Sequence, residues 1–388
     1  MIGVEEAKRI LMEHVTVLAP CTVALPSATG FVMKDVAAPH DHPLFDMSAV
    51  DGYAFVLGSS NEWNVVGEIA AGEVHSTALK PGECVRIFTG AMVPEGADTV
   101  VMQEFVTRKG DRISHTDVQV KPGSNIRRKG EQVRQGQVIL HAGERLNAAA
   151  KGLLASVGVA GVAMAPSPEV AVIITGSEFA DERVLLPGKI FGSNGVMLEA
   201  LIPSAGALAQ VRHVPDEMAA LEACIQRCSA SSDLVISTGG ASVGDHDLVS
   251  AAIERCGGRI IFHGVAQKPG KPMLFALLGD KPFFGLPGNP RAVMVLYWEY
   301  VLPFLRAIQG AKRPWLKVDV LPIAHALIAK GDRAEFRAAQ VKGGQVTLLA
   351  DEGSHMLRSL IDADALAYVP ANRRTWAAGD PMEVHYLP

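Results

Sequence analysis

Residues 237–247 read STGGASVGDHD, a run of hydroxyls and glycines that closes on two aspartates around a histidine. Gly239, Gly240 and Gly244 let a backbone turn tightly and present N–H groups, an arrangement that suits an anion, and Ser242 adds a hydroxyl donor. Carboxylates beside phosphate oxygens repel them unless a cation intervenes. Mg2+ is the usual bridge, because it binds through one or two carboxylates together with phosphate. Asp245 and Asp247 are therefore candidate Mg2+ ligands, or else caps of the helix that follows. ITGSEF adds the carboxylate of Glu178 beside Thr175 and Ser177. In VAQKPGKP, Lys268 and Lys271 sit on a Pro-bounded turn where two ammonium groups can meet an oxyanion. It is not a Walker loop, since the glycine spacing is too long and Pro272 replaces the Mg2+-binding hydroxyl. GLPGNPRA then precedes a long helix, with Pro287 and Pro290 fixing φ and Gly288 leaving room for close backbone approach. Each loop alone fits an ordinary turn; together they suggest a phosphate-bearing ligand.

Such loops need strand ends to hold them. From Pro168 to about Gly310 apolar runs (EVAVIIT, DLVIST, RIIFHGV) alternate with amphipathic helical stretches, which predicts a parallel sheet covered on both faces. Ligands of such sheets bind beyond the carboxyl ends of the strands. Residues 2–18 carry a helical apolar face, 45–121 short β-type runs between Gly, Pro and Asp turns, 138–165 a helix-like segment, and 312–388 further short β-type runs. At 388 residues, two to four domains are expected.

A net charge of -5 argues against general affinity for nucleic-acid backbones and leaves a small molecule or a protein as partner. Five cysteines, with one C-x-x-x-C pair in a helical pattern, read as reduced thiols of a cytoplasmic protein. No stretch has the form of a signal peptide or a membrane span; the most apolar, 152–166, is Gly-rich and short.

The strings FDMSAVDGYAF, RIFTGAMVPEGADTVVMQE, GSNIRRKGE, ITGSEF, STGGASVGDHD, QKPGKP and GLPGNP, in that order, make the chain resemble the MoeA family, the molybdopterin molybdenumtransferases that include the E domain of gephyrin. The resemblance implies a multidomain α/β homodimer: a scaffold domain (1–44 and 126–166), an inserted, mostly β domain (45–125), a three-layer α/β/α molybdopterin-binding domain (167–311) and a C-terminal β domain (312–388). It implies a Mg2+-dependent insertion of molybdate into adenylylated molybdopterin with release of AMP, and contact with the molybdopterin adenylyltransferase. Asp51, Thr89, Glu178, Asp216, Asp247 and Lys268 would be catalytic, with Asp51 and Thr89 reaching the crevice from the second subunit. Glu178, Asp245 and Asp247 would hold Mg2+; Gly239, Gly240, Ser242, Gly244, Lys271, Pro287, Pro290, Arg337 and Ser354 would bind substrate.

The match departs at Met47, Gln132, Ser177, Gly192 and Gly264, the last replacing a lysine found in many members. A second reading follows: a divergent paralogue that holds molybdopterin or a partner protein without inserting metal. Arg127, Arg128 and Lys129 form either a further anion contact or a solvated turn.

Overall fold

The computed structural model describes residues 1–179, 187–240, 248–350, 353 and 355–388. One layer holds six strands which, counted within it, are β1 (Glu169–Thr175), β2 (Leu208–Val214), β3 (Leu234–Thr238), β4 (Arg259–His263), β5 (Leu274–Leu278) and β6 (Lys281–Leu286), in the spatial order β2-β1-β3-β6-β5-β4. Successive side chains of a strand point to opposite faces. Accordingly Val172 and Ile174 of β1 join one apolar cluster with Leu198 and Ile202, while Ala171 and Ile173 join another with Leu221, Ile225, Val249 and Ile253. Helix Asn194–Ser204 and the run from Pro290 to Ile308 cover the first face; helices Met218–Ser231 and Leu248–Arg255 cover the second. Three layers result.

The sheet is not wholly parallel, which corrects the sequence-based expectation. β5 runs antiparallel to both β4 and β6. Its hairpin with β6 escaped because FFGL merges into the GLPGNP loop, and β2 escaped because an edge strand with exposed polar residues, LAQVRHV, carries little β signal. Two antiparallel pairings restore direction, so β4 runs the same way as β6. The carboxyl ends of β1, β2, β3, β4 and β6 therefore share one edge.

The helical run begins at Pro290, passes through a π turn at Tyr297–Val301 and continues over Leu302–Ile308. Pro303 supplies the reason: it has no N–H for the carbonyl of Glu299, four residues earlier, and its ring crowds that carbonyl. The opening helix, Val4–Glu13, buries Val4, Ala7 and Leu11 in the first cluster of this same layer.

Elsewhere, strands between Gly52 and His115 form a second six-stranded sheet. The segments flanking it pair with each other, 21–24 with 161–164 and 36–37 with 138–140, around Leu25, Val32, Leu140, Leu154 and Val162. Within the segment expected to be helix-like, the helix is confined to Ala148–Ser156 and strands flank it. A third six-stranded sheet spans Val318 to Tyr386, and its edge is Gln267–Lys268, paired in parallel with Ala334 and Glu335. The lysine turn is thus stitched to the C-terminal β module.

Candidate active site

The carboxyl edge of the first sheet gathers its loops by contact. Gly239 has φ +88°, and a Cβ there would stand 2.3 Å from the Thr175 carbonyl oxygen, so the loop after β3 rests on the end of β1 because the residue is glycine. A Cβ on Gly288 would lie 3.8 Å from Cα of Gly239, which places the loop after β6 alongside. Asn194, buried at the start of its helix, donates from Nδ2 to the Gly288 carbonyl at 2.9 Å and to Thr238 Oγ1 at 3.3 Å. After β2, Asp216 accepts from the Ser177 amide at 3.0 Å through Oδ2, bringing it beside the exposed Glu178. Thr175 Oγ1, Ser237 Oγ and Asn194 Oδ1 are buried with no hydrogen-bond partner among the described residues. Pro287 is buried and Pro290 opens the helical run behind Asn289.

The lysine turn closes the other side. Gln267 donates from Nε2 to the Pro269 carbonyl at 2.8 Å across the cis Lys268–Pro269 bond, and the Tyr300 hydroxyl donates to Gln267 Oε1. Lys268 is exposed and lines a small cavity with Pro269, Arg291, Glu335, Phe336 and Arg337. Arg337 donates from Nε and Nη2 to Glu335 Oε2 at 2.9 and 2.7 Å, and Arg374 donates to Oε1 at 2.7 Å. The buried Glu335 carboxylate thus holds Arg337 and Arg374, and Lys268 and Arg291 line the same cavity, a set of charged donors of the kind that binds oxyanions. Lys271 is exposed on the same turn, where its carbonyl accepts from the Val265 amide.

Arg291, Glu335 and Arg374 were not singled out from the sequence. Charged side chains inside otherwise apolar runs, PRAVMVL and AEFRAA, are the signal that marks the first two. Arg291 is 1% exposed and donates to Ser359 Oγ at 2.6 Å and the Met356 carbonyl at 3.4 Å, tying the GLPGNP loop to the C-terminal module.

Asp51 and Thr89 lie just outside strands Gly52–Phe55 and Glu83–Ile87 of the second sheet and hold each other: Asp51 Oδ1 accepts from the Thr89 amide and hydroxyl, both at 2.8 Å. The amide, then the hydroxyl, keep the Asp51 carboxyl below its ordinary value. Among the described residues, hydrogen bonds and ion pairs of 45–125 run within that segment and to residues 126–129, so none brings this pair to Glu178 or Lys268. Ser242, Gly244, Asp245, Asp247 and Ser354 lie outside the described residues.

Two departures have physical reasons. Gly264 has φ +93°, a conformation in which a lysine would be strained, and its carbonyl accepts from the Ile2 amide. At Gly192 a Cβ would stand 3.1 Å from the Phe179 ring, which occupies that room.

The sequence matches family models over almost its whole length: MoeA N-terminal region (domain I and II) at residues 2–158, probable molybdopterin binding domain at 171–307 and MoeA C-terminal region (domain IV) at 320–387. The chain belongs to the MoeA family. In this MoeA chain the middle match covers β1 to β6, their covering helices and the crevice loops. A molybdopterin molybdenumtransferase of Nostoc sp. is 35% identical over 94% of this chain and 88% of its own length. Molybdopterin molybdenumtransferase 2 of Mycobacterium tuberculosis is 33% identical over 99% of both. The crystal structure of the molybdopterin biosynthesis moeA protein from Pyrococcus horikoshii superposes with a TM-score of 0.83 at 27% identity, covering all of both chains.

Proposed function

We propose that this chain is a cytoplasmic molybdopterin molybdenumtransferase, which inserts molybdate into adenylylated molybdopterin and releases AMP. The single observation that carries the reading is the convergence of the β1, β2, β3 and β6 loops at one edge, beside a Lys268–Arg291–Arg337 cavity in a chain of this family. The substrate brings a pyrophosphate, so cleavage requires neutralisation of charge on the departing phosphate. Glycine-rich backbone at 239–240 receives phosphate oxygens, and Lys268 with Arg337, on the rim of a cavity of about 10 Å³ that itself holds no more than a water, receives molybdate through charge-assisted hydrogen bonds, with Lys271 adding positive charge on the same turn.

Mg2+ fits the donors present. Glu178 and Asp216 would offer hard oxygen donors, brought near each other because Asp216 accepts from the Ser177 amide. Mg2+ is typically held by one or two carboxylates together with substrate phosphates. When bound, Mg2+ would neutralise phosphate oxygens and make the phosphorus more electrophilic. Asp245 and Asp247 belong to this proposal as further ligands. Asp51 and Thr89 enter the crevice from a second copy, which makes the active form a homodimer, and the upstream adenylyltransferase delivers the pterin.

Incubating purified protein with adenylylated molybdopterin, Mg2+ and molybdate tests the reading. Stoichiometric AMP release dependent on molybdate is expected. Tight binding of the pterin with no AMP released would instead establish a binding paralogue.

A further inference from the structure

We infer that a basic groove at the far end of the helical run is a second ligand site, built for a nucleoside di- or triphosphate. The run from Pro290 to Ile308 spans roughly 28 Å at the rise of an α-helix, so its last turn lies well away from the carboxyl-edge crevice where it starts. There Arg306 joins Arg145, Lys312, Arg313 and Lys317 around a groove of about 610 Å³. This size suits a small molecule.

The walls are held in place without a ligand. Gly143, at φ +81°, donates to the Val32 carbonyl at 2.7 Å, and its own carbonyl accepts from the Lys312 amide at 3.0 Å. A Cβ there would stand 2.7 Å from the Lys312 amide nitrogen, so glycine permits this contact between the two walls. Arg306 donates from Nη1 to the Pro314 and Trp315 carbonyls at 3.1 and 3.4 Å, and the Tyr386 amide donates to the Lys317 carbonyl at 2.9 Å.

Charge points to an anion. None of the five cations has an ion-pair partner within 4 Å among the described residues; Glu144 is the one acidic side chain among them along the groove, and Asp35, outside the groove lining, is the carboxylate that feels the charge of Lys312. This concentration occurs in a chain whose net charge is -5. Burial, and then the neighbouring Arg145, lower the Arg306 pKa, a crowding of like charge that a bound anion would relieve. Phe31, Trp315 and Tyr386 supply flat apolar surface for a base, and the Lys317 ammonium already sits 5.2 Å from the Tyr386 ring centroid. An adjoining cavity of about 590 Å³ shares Phe31, Arg145 and Arg306, leaving room for a nucleoside beyond its phosphates. Clustered cations next to aromatic walls match phosphates attached to a base better than carboxylates spread along a peptide.

The test is titration of the full chain with ATP, ADP, AMP, tripolyphosphate and polyglutamate, by calorimetry and by Trp315 fluorescence. ATP is expected to bind at least tenfold more tightly than AMP and to change a signal that Trp315→Phe removes. Replacing two exposed cations together, Lys312→Gln with Arg313→Gln, is expected to weaken ATP by about a hundredfold, tenfold for each lost charge-assisted contact, and to leave circular dichroism unchanged. Lys268→Ala is expected to leave ATP binding intact, so the result stands apart from the transferase reading. Tripolyphosphate binding as tightly as ATP, polyglutamate binding more tightly, or ATP binding that the double variant leaves unchanged or Lys268→Ala abolishes would overturn the inference.

Discussion

Glu299 is 2% exposed inside the π turn, where it accepts from Lys8 Nζ at 2.7 Å and pairs with His385 Nδ1 at 2.8 Å, while His385 Nε2 meets Glu383 at 2.9 Å. Burial disfavours the carboxylate, but the bond with His385 and the charge of Lys8 outweigh it and hold Glu299 below its ordinary value. Burial likewise opposes the imidazolium, yet the bonds to Glu299 and Glu383 raise His385 above its ordinary value. Glu299→Gln keeps the shape and removes the charge, leaving Lys8 and protonated His385 facing each other in a buried site. Losing one partner of a buried pair costs about 3 kcal/mol or more. The pH dependence has a definite sign. A lowered carboxyl stabilises above its ordinary value of 4.5, and this is lost as pH falls through the folded-state value. A raised histidine stabilises fully below its ordinary value of 6.5, and this is lost as pH rises through the folded-state value. Both contributions coexist between roughly pH 4.5 and 6.5, so calorimetry across pH 4 to 8 should show the wild-type advantage over Glu299→Gln largest there. Tyr300, the next residue, bonds Gln267 beside Lys268, so the variant is also expected to raise KM for molybdate severalfold. A variant within 1 kcal/mol of wild type, with an unchanged pH profile, would refute the reasoning.

Three further outcomes follow from particular residues. Asp51→Asn removes the charge that Thr89 orients at an exposed position; AMP release should fall more than a hundredfold while the melting temperature stays within 1 to 2 °C, about the spread of a surface substitution. Gly239→Ala forces a side chain into a positive φ and against the Thr175 carbonyl; a loss of about 2 kcal/mol in stability and weakened pterin binding are expected by denaturant titration and fluorescence. Sedimentation at micromolar concentration should show a dimer, and a species that is wholly monomeric yet active would remove the second copy from the crevice.

Much of the site was legible because its residue types are forced locally. Gly239 must be glycine because a Cβ there would meet the Thr175 carbonyl at 2.3 Å, and the runs AVIIT and LVIS are strands buried on both faces. What escaped depends on distance in the chain. β2 is an edge strand in which only Ala209 and Val211 alternate inward against exposed Gln210 and Arg212, too short a period to mark it. Gln267–Lys268 becomes a strand through pairing with residues 334–335, and nothing local to QKPGKP announces that partner. The π turn follows from Pro303 acting four residues back on Glu299, and the Glu335 clamp needs Arg374 from a separate strand end. The resemblance named Lys268, Lys271 and Arg337 as candidate anion contacts; the structure adds Arg291, which ties the GLPGNP loop to the C-terminal module, and Glu335, which holds Arg337.

The central claim is one crevice at the carboxyl edge, shared by phosphate and molybdate. Its most direct measurement is a crystal structure of the chain soaked with AMP, Mg2+ and molybdate. Phosphate density over Gly239 and Gly240, and molybdenum within reach of Lys268 and Arg337 in the same cavity, is the expected result. Density for the two ligands on separate faces, with Glu178 facing neither, would contradict it.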